Sequence, residues 1–557
     1  MPRFLRFVVW ILLVGPVVSS GQQDFDILHY EADITLREPP TLYAQGMVDI
    51  HVLWDPNVAD RILPIHARGI RVDSTACSGR TLQIERDTAQ DPDRYNLYVP
   101  HEDRRAAHVI DTVRVWFSGT MTNEGGSDPW GGVWYEDGVL YALGVGFANT
   151  SVSATRHWLP CFDHPSDKAT FRGTFRIPSS LVCVSVGVLE RDTVLPSDQL
   201  RVITWEESHP TATYALTFAV GEFQKLDLTN SSVGGVSSVP HHVYSQPGDS
   251  SASSIAYSLT PLMTRHYEAL FGAYPFHKVG YVNTSRGAME HQTMISMPVS
   301  VVRKADSMHS TIAHELVHQW FGDYVTPQDF RHAWLTEAYA TYGESAWIEH
   351  RLGWQAYLES IERGTQRYLQ TIAPEEGVLP LVDYPRDAPS SNYPGTIYQK
   401  GRVVVAMMRA LAGDSAFYQS LRDYLRQHAY GTATTSDMRE VMRSALGART
   451  DAFFEEWIVG RGWPILSVSY EQQIDQQDTT LYAVLRQEQQ NLHGWQLFTT
   501  LPLDVTYTAP DGERVNELIV MTEHTLRIPL SAVGNSASGF AINAGTLVRS
   551  LVEIQEP

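Results

Sequence analysis

The chain has 557 residues, 43% of them hydrophobic and 11% aromatic, which is more than one ordinary core accommodates. We therefore expect two to four globular domains, and the composition does not predict an extended disordered tract. The 63 acidic and 42 basic residues give a formal net charge of −21 at pH 7. This acidity argues against nucleic acids and anionic membrane surfaces as partners.

The first 21 residues have the pattern of a signal peptide. Arg3 and Arg6 precede an apolar run over residues 7–18, and small residues follow at positions 19–21. The run is shorter than the roughly 20 residues that span a bilayer. We expect cleavage without stable membrane insertion, with an uncleaved anchor as the alternative. The segment predicts export to the periplasm or the extracellular space.

Residues 22–225 are predicted to form an antiparallel β domain. Apolar side chains alternate over residues 48–54 and again over residues 214–220, with turn clusters between such runs. No long helical periodicity interrupts them.

The three cysteines, Cys77, Cys161 and Cys183, are too few and too scattered for a disulfide framework. One pair could form a bridge in an oxidising compartment. Buried apolar thiols are the commoner arrangement and the one that we favour.

A candidate metal site lies at His314 and His318. Residues four apart on an α-helix lie on one face, so both imidazoles can bind one ion while Glu315 leans over the same site. A catalytic zinc takes three protein ligands and keeps a fourth position for water. Glu337, on a second predicted helix over residues 334–343, is the candidate third ligand. The five-residue pattern alone also occurs by chance in ordinary amphipathic helices, and it leaves both interpretations open.

Three short sequence segments, taken together in their order along the chain, form a more specific pattern than any one of them alone. They are His314-Glu315-Leu316-Val317-His318 with Glu337 in Trp-Leu-Thr-Glu-Ala-Tyr-Ala, the upstream segment Gly287-Ala288-Met289-Glu290-His291, and the downstream segment Tyr398-Gln399-Lys400-Gly401. Together they resemble the M1 family of zinc aminopeptidases, the gluzincins. The second block is similar to the family's Gly-x-Met-Glu-Asn exopeptidase motif, and the third to its Tyr-x-Lys-Gly segment. The resemblance extends over nearly the whole chain after the signal segment, without the helical-repeat domain of larger members.

The resemblance implies a multidomain α+β protein with one zinc ion per chain. Residues 226–462 are expected to form a thermolysin-like, α-rich catalytic domain, in which later helices begin near Gly401 and at a cap near residues 436–437. Alternating apolar side chains return in residues 463–557. This segment suits a small β-sandwich with a hairpin turn at residues 510–512.

Peptide hydrolysis gives the matched residues separate roles. Zinc held by His314, His318 and Glu337 activates a water and polarises the peptide carbonyl. Glu315 fits the general base that takes the proton of the water and later gives it to the leaving amine. The resemblance places Tyr398 at the developing oxyanion.

The Gly287 block supplies the expected substrate contacts. Glu290 pairs with the free α-ammonium of a peptide, and an acylated N-terminus would leave this carboxylate unpaired. Gly287, Ala288 and Met289 are expected to let the substrate backbone lie alongside an edge strand.

The sequence departs from the family pattern at two positions near the site. Ser151 stands where the family usually has a Glu or Gln that helps to bind the amine, with Asn149 and Thr150 as neighbouring substitutes. His291 replaces the usual Asn, and either a backbone-fixing hydrogen bond or an added pH dependence is expected from it. A related landmark, residues 156–165, resembles Ala-Arg-x-x-Phe-Pro-Cys-Phe-Asp-Glu-Pro and is interpreted as a structural turn bordering the site.

These observations predict an exported zinc aminopeptidase that acts on peptides with a free N-terminus. A zinc endopeptidase of the thermolysin type is one alternative, against which Glu290 in its Met-Glu context argues. An epoxide-hydrolysing relative is another, and nothing in the sequence requires it. A catalytically inactive binding or scaffold protein is the third, and such a protein would be expected to have lost a ligand or the base.

Overall fold

The computed structural model describes residues 23–89, 91–100, 110–127, 129–147, 152–231, 235–236, 239–304, 309–384, 393–475, 478–509, 512–530 and 540–555. Within these ranges, strands come first, helices dominate the middle of the chain and strands return at the end. This order agrees with the predicted α+β class. The predicted signal segment and the candidates Asn149, Thr150 and Ser151 lie outside the described residues.

Alternating apolar side chains build the N-terminal sheets. The strands of this region are β1 (Phe25–Leu36), β2 (Tyr43–Trp54), β3 (Ile62–His66), β4 (Ile70–Cys77), β5 (Arg80–Thr81), β6 (Gln83–Arg86), β7 (Arg94–Tyr98), β8 (Ile110–Thr120), β9 (Gly132–Glu136), β10 (Val139–Leu143), β11 (Lys168–Pro178), β12 (Val182–Ser185), β13 (Val188–Leu195), β14 (Leu200–Ala212) and β15 (Phe218–Gly221). Burial alternates at every residue of β11, which places one face of the sheet on the core.

The largest sheet has the order β13-β14-β11-β1-β2-β8-β4-β5. The expectation of a wholly antiparallel domain is wrong at one position, because β1 and β11 pair in parallel, from His29 opposite Thr170 to Thr35 opposite Arg176. Antiparallel neighbours can be joined by a tight hairpin, whereas parallel strands need a long connection. Here much of the N-terminal region lies between the two strands in sequence. The alternation of apolar side chains within each strand does not indicate that the two strands pair.

The middle region surrounds a four-stranded sheet with helices. Its strands are β16 (Gln224–Asp227), β17 (Asn230–Ser231), β18 (Gly235–Val236), β19 (His241–Ser245), β20 (Val279–Thr284), β21 (Ile295–Pro298), β22 (Thr326–Pro327) and β23 (Thr432–Ala433). Its helices are α1 (Ser250–Ala256), α2 (Thr260–Phe271), α3 (Val299–Val302), α4 (His309–Val317), α5 (Trp334–Leu352), α6 (Trp354–Arg367), α7 (Ala373–Glu376), α8 (Gly395–Ala412), α9 (Asp414–Gln427), α10 (Thr435–Leu446) and α11 (Thr450–Phe454). The sheet order is β16-β19-β20-β21, and the two pairs that include β20 are parallel.

Two helices begin earlier than the sequence predicts. Helix α8 starts at Gly395, because the Glu376 carboxylate accepts hydrogen bonds from the N–H groups of Gly395 (2.6 Å) and Thr396 (3.1 Å). A cap supplied from α7 leaves no local signal in front of α8. Helix α10 is capped by Thr434, which forms a capping box with Asp437, so the predicted cap was placed about two residues late.

The C-terminal strands form two sheets that share a core with the helices. The elements are β24 (Ile465–Asp475), β25 (Asp478–Gln487), α12 (Gln489–His493), β26 (Leu501–Thr508), β27 (Arg514–Met521), β28 (Thr525–Leu530), β29 (Ala541–Ile542) and β30 (Glu553–Gln555). The sheet orders are β28-β25-β24-β30 and β27-β26-β29, and β26 and β27 form the predicted hairpin. Leu503 and Val505 belong to the same buried cluster as Trp320.

All three cysteines are buried, as we favoured from the sequence. Within the described part of the chain, none of the helices has the length and apolar character needed to cross a membrane.

The landmark at residues 156–165 is held by a buried ion pair. Arg156 Nε lies 3.0 Å from Asp163 Oδ2, and the exposed fractions of the two side chains are 6% and 0%. The same carboxylate accepts a hydrogen bond from the Arg156 N–H (3.1 Å), and its other oxygen accepts one from Thr213 Oγ1 (3.0 Å). The landmark is therefore a structural turn joined to the residues around Thr213.

Replacing Asp163 by Asn is expected to lower the free energy of unfolding by up to about 3–5 kcal/mol, because the buried Arg156 charge loses its fully buried partner and keeps only the half-buried Asp91. Chemical denaturation monitored by tryptophan fluorescence measures the change. Asp423→Asn is the control, because Asp423 pairs with Arg426 at an exposed site on α9 and such pairs contribute less than about 1 kcal/mol. Equal effects of the two substitutions would contradict the assigned role of Asp163.

Candidate metal centre

Helices α4 and α5 pack against each other and bring His314, His318 and Glu337 together. His314 lies on α4, and His318 directly follows its last residue, with the His318 N–H donating to His314 O (3.3 Å). The chain then turns at Gly322, whose φ is +143°. A Cβ there would lie 3.2 Å from His318 O and 3.4 Å from His318 Nδ1, so glycine lets the loop pass close to the histidine.

The three ligand candidates present their donor atoms to one point. Nε2 of His318 lies 3.1 Å from His314 Nε2, and Glu337 Oε2 lies 3.2 and 3.4 Å from the His314 and His318 Nε2 atoms. Tetrahedral ligands at zinc distances are separated by about 3.3 Å. The donor set, two imidazoles and one carboxylate, therefore fits a zinc ion in both chemistry and spacing.

Each histidine is oriented through its other ring nitrogen. His314 Nδ1 lies 2.9 Å from Glu344 Oε1, and Glu344 Oε2 accepts from Arg402 Nη2 at 3.0 Å. His318 Nδ1 donates to Phe321 O (3.0 Å). These contacts hold both Nε2 atoms toward the Glu337 carboxylate, the arrangement that metal-binding histidines require.

Glu344 did not emerge from the sequence analysis. It lies seven residues after Glu337 on α5, so two helical turns place both carboxylates on one face, and that spacing is the signal that could have indicated it. Burial acts to raise the pKa of Glu344, but Arg402 and His314 outweigh burial and lower it. Burial also acts to raise the pKa of the Glu337 carboxyl, but the two histidines outweigh burial and hold that pKa well below the ordinary value. Both carboxyl groups are therefore ionised.

Two further carboxylates face the same histidines. Glu290, Glu315 and His318 place their donor atoms within 4.8 Å of one another, and all three residues are buried. Burial raises the pKa of Glu315 to about 7, against the opposing effect of His314 and His318. Burial also raises the pKa of Glu290. The structure thus brings the predicted base and the predicted amine acceptor to one side of His318.

The Gly287 block forms an irregular edge rather than the expected strand. Met289 makes a single antiparallel bridge to Ser296 of β21, with both N–H···O distances at 3.0 Å. Gly287 has a φ of +74°, and a Cβ there would lie 2.5 Å from Leu143 Cδ1. Strand β20 ends at Thr284, and the positive φ of Gly287 keeps the block from continuing it, which local sequence alternation did not indicate. Ala288 is partly buried against the other core cluster, the one that contains Trp320.

The side chain of Gln319 fixes the backbone that carries Glu290. Its Nε2 donates to Glu290 O (3.2 Å) and to Asp323 Oδ2 (2.7 Å). Its Oε1 accepts from Thr293 N–H (3.0 Å) and from the Tyr274 hydroxyl (3.1 Å). The amide is fully buried and all its principal hydrogen-bonding directions are used. Sequence analysis missed this role, and the position directly after His318 is the only local sign of it.

His291 is a fixed hydrogen-bonding group, and the expected pH dependence is not supported. His291 Nε2 accepts from Gly144 N–H (3.2 Å), and Nδ1 lies 3.1 Å from Ser296 Oγ. Burial lowers the pKa of His291 to about 3, so the ring stays neutral around neutral pH. The other predicted role, a hydrogen bond that fixes the backbone, is the one that the structure contains.

Tyr398 stands on the first turns of α8, facing the metal ligands. Its ring is stacked on that of His314, with 6.1 Å between centroids and 16° between planes. Burial raises the pKa of Tyr398 well above its ordinary value, and a hydrogen bond to Glu337 acts in the same direction. The phenol is therefore neutral and can donate a hydrogen bond.

Two family models match the chain. Residues 258–457 match the peptidase family M1 domain, and residues 144–215 match the peptidase M1 N-terminal domain. The first contains the whole donor set, and the second contains the landmark.

The chain is also similar to named aminopeptidases. It is 27% identical over 332 residues to aminopeptidase M1-C of Oryza sativa subsp. japonica, and the aligned region covers 56% of this chain and 36% of the relative. It is 24% identical over 475 residues to glutamyl aminopeptidase of Rattus norvegicus, and the aligned region covers 81% of this chain and 48% of the relative. The chain thus spans about half or less of the length of these relatives.

Solved structures share the fold. A variant of the M1 zinc metallopeptidase of Deinococcus radiodurans, bound to a Tyr-Ser-Ala substrate, matches with a TM-score of 0.68 and 24% identity over 80% of this chain and 96% of that chain. Aminopeptidase A of Legionella pneumophila, in complex with aspartic acid, matches with a TM-score of 0.76 and 17% identity over 96% of this chain and 60% of that chain. The family implies one catalytic zinc ion, which the donor set fits. Residues 258–457 and 144–215 thus match the two domains of M1 peptidases, and the chain is similar to M1 aminopeptidases in sequence and to M1 zinc metallopeptidases in fold.

Proposed function

We propose that this protein is an exported zinc aminopeptidase, which removes N-terminal residues from peptides. The observation that carries the proposal is a buried carboxylate, Glu290, that lies beside the metal ligands without being needed as one of them. His314, His318 and Glu337 already supply three ligands, and Glu315 occupies the position of a base. A third acidic group at this place suits the positive charge of a substrate N-terminus.

The match to the peptidase family M1 domain and the similarity to named aminopeptidases support a peptidase acting at N-termini. The export component rests on the pattern of the first 21 residues alone.

His314, His318 and Glu337 would hold the zinc ion. When bound, zinc acts as a Lewis acid that lowers the pKa of a water to about 7 and polarises the scissile carbonyl. Glu315 takes a proton from the attacking water and returns it to the leaving amine, and a pKa raised to about 7 by burial suits both directions of transfer.

Tyr398 and Glu290 act on opposite charges of the substrate. The neutral phenol of Tyr398 donates a hydrogen bond to the developing oxyanion, a contribution of about 10²–10³ in rate at comparable sites. Glu290 accepts from the α-ammonium and sets the distance from the N-terminus to the cleaved bond. A peptide that continues past this point would bury the carboxylate without a partner.

Substitution of a metal ligand and substitution of the base are expected to have different outcomes. Replacing His314, His318 or Glu337 by Ala is expected to lower zinc content, because each removes one of three ligands. Glu315→Gln is expected to keep zinc and to lose most of kcat, because it removes a base and not a ligand. Metal analysis of the purified variants, together with hydrolysis of aminoacyl reporter amides, measures both. Loss of zinc from folded Glu315→Gln protein would contradict the assignment.

Glu344→Ala is expected to weaken zinc binding by about 10- to 100-fold, because His314 loses the group that orients it. The matched control is Glu349→Ala on the same helix. Glu349 pairs with the buried Arg409 as Glu344 pairs with Arg402, but it contacts no metal ligand. Competition with a chromophoric chelator gives the dissociation constants. A similar loss of affinity in both variants would assign the effect to helix stability.

Glu290→Gln tests the exopeptidase directly. Hydrogen bonds to charged groups contribute about 1.5–3 kcal/mol, so kcat/KM for a peptide with a free N-terminus should fall by roughly tenfold to more than a hundredfold. The N-acetylated form of the same peptide should be a poor substrate for the native protein and should be scarcely affected by the change. Equal native rates on the free and acetylated forms would favour an endopeptidase instead.

A further inference from the structure

Four consecutive backbone carbonyls directly after the zinc helix accept hydrogen bonds from side chains. These bonds are His318 Nδ1 to Phe321 O (3.0 Å), the Tyr214 hydroxyl to Gly322 O (3.2 Å), and Lys168 Nζ to Asp323 O (2.5 Å) and Tyr324 O (3.3 Å). Thr326 Oγ1 also donates to Gly322 O (2.6 Å). We call residues 321–324 the ligand loop.

The donors Lys168 and Tyr214 come from the N-terminal region, far from the ligand loop in sequence. Lys168 is the first residue of β11, and Tyr214 lies in the single 3₁₀ turn that follows β14. Tyr214 is only 2% exposed, so its hydroxyl donates in a setting that excludes water. Loss of the Tyr214 hydroxyl would leave Gly322 O with the Thr326 bond alone, and a buried carbonyl that loses part of its hydrogen bonding is destabilised.

The ligand loop orients a zinc ligand. Phe321 O accepts the proton of His318 Nδ1, which fixes the tautomer and directs Nε2 toward Glu337. The loop passes close to the histidine, since a Cβ at Gly322 would lie only 3.2 Å from His318 O. A shift of the loop would therefore turn or release the imidazole.

The same loop also supports the substrate side of the site. Asp323 Oδ2 accepts from Gln319 Nε2 (2.7 Å), and that nitrogen also donates to Glu290 O (3.2 Å). The position of Asp323 is thus connected to the backbone of the amine acceptor.

We infer that Lys168 and Tyr214 are positioning residues for the metal centre, through which the N-terminal region fixes His318 by holding the carbonyls of the ligand loop. The inference rests on the zinc site of the proposed function. It gives the N-terminal β region a direct part in metal affinity, beyond covering the catalytic helices.

The test uses Tyr214→Phe and Lys168→Met, which remove the donors and keep most of the side-chain volume. The dissociation constant of zinc is measured on the full chain by competition with a chromophoric chelator. Each variant is expected to bind zinc about tenfold more weakly, the lower end of the range for outer-shell partners of metal ligands. Zinc affinity is a property of the metal site, and a purely structural hydroxyl elsewhere in the region would not alter it.

Tyr30→Phe is the matched control. Tyr30 is 1% exposed in the same region, and its hydroxyl accepts a hydrogen bond from Phe162 N–H (3.1 Å), with no part in the ligand loop. We expect thermal denaturation to show similar losses of stability for Tyr30→Phe and Tyr214→Phe, with weaker zinc binding only in the latter. Because Lys168→Met could fail to fold, Tyr214→Phe decides the question by itself.

Two results would overturn the inference. Zinc dissociation constants for Tyr214→Phe equal to the native value would show that the hydroxyl does not position the ligand. Equal weakening by Tyr30→Phe would assign the effect to general destabilisation. A native protein that binds no zinc would instead overturn the proposed function, and the inference with it, so the two failures are distinguishable.

Discussion

The burial of several carboxylates against two imidazoles is the constraint on which the rest of the structure depends. Glu290, Glu315 and Glu337 are all less than 10% exposed around the same two histidines. Like charges that share a buried site cannot all ionise without compensation. A bound divalent cation and an arriving ammonium would supply that compensation, one for the ligand set and one for Glu290. In the proposed function the site therefore receives two positive charges, one from the metal ion and one from the substrate N-terminus.

Such a cluster needs a rigid surrounding, and the structure provides it from several parts of the chain. Helix α5 supplies Glu344 to His314, and α8 supplies Arg402 to Glu344. The N-terminal region supplies Lys168 and Tyr214 to the loop beside His318. Each contact uses a donor or acceptor that would be costly to bury alone, so the orientation of the ligands and the docking of the regions depend on the same hydrogen bonds.

The sequence predicted the parts of the site that depend on local spacing. His314 and His318 are one turn apart, and the breaking residues before α5 allow Glu337 to return to them, so geometry and composition suffice. It did not predict contacts that depend on distant elements. The start of α8 is fixed by Glu376 from another helix, β1 pairs with the remote β11, and Tyr214 reaches the ligand loop across more than a hundred residues. Hydrophobic periodicity indicates which face of a helix or strand is buried. It does not indicate which other element packs against that face.

The substrate side of the site is held by neutral groups, and this has a functional reason. His291, next to Glu290 in the chain, stays uncharged because burial lowers its pKa to about 3, and its ring bonds to Gly144 N–H and Ser296 Oγ. Gln319 is an amide, and it donates to Glu290 O. Under the proposed function, a cationic side chain in either place would add a positive charge close to the residue that receives the α-ammonium. Neutral hydrogen bonds fix the segment without adding such a charge. An imidazole can therefore replace the family's usual asparagine at position 291, provided that it is buried deeply enough to remain neutral.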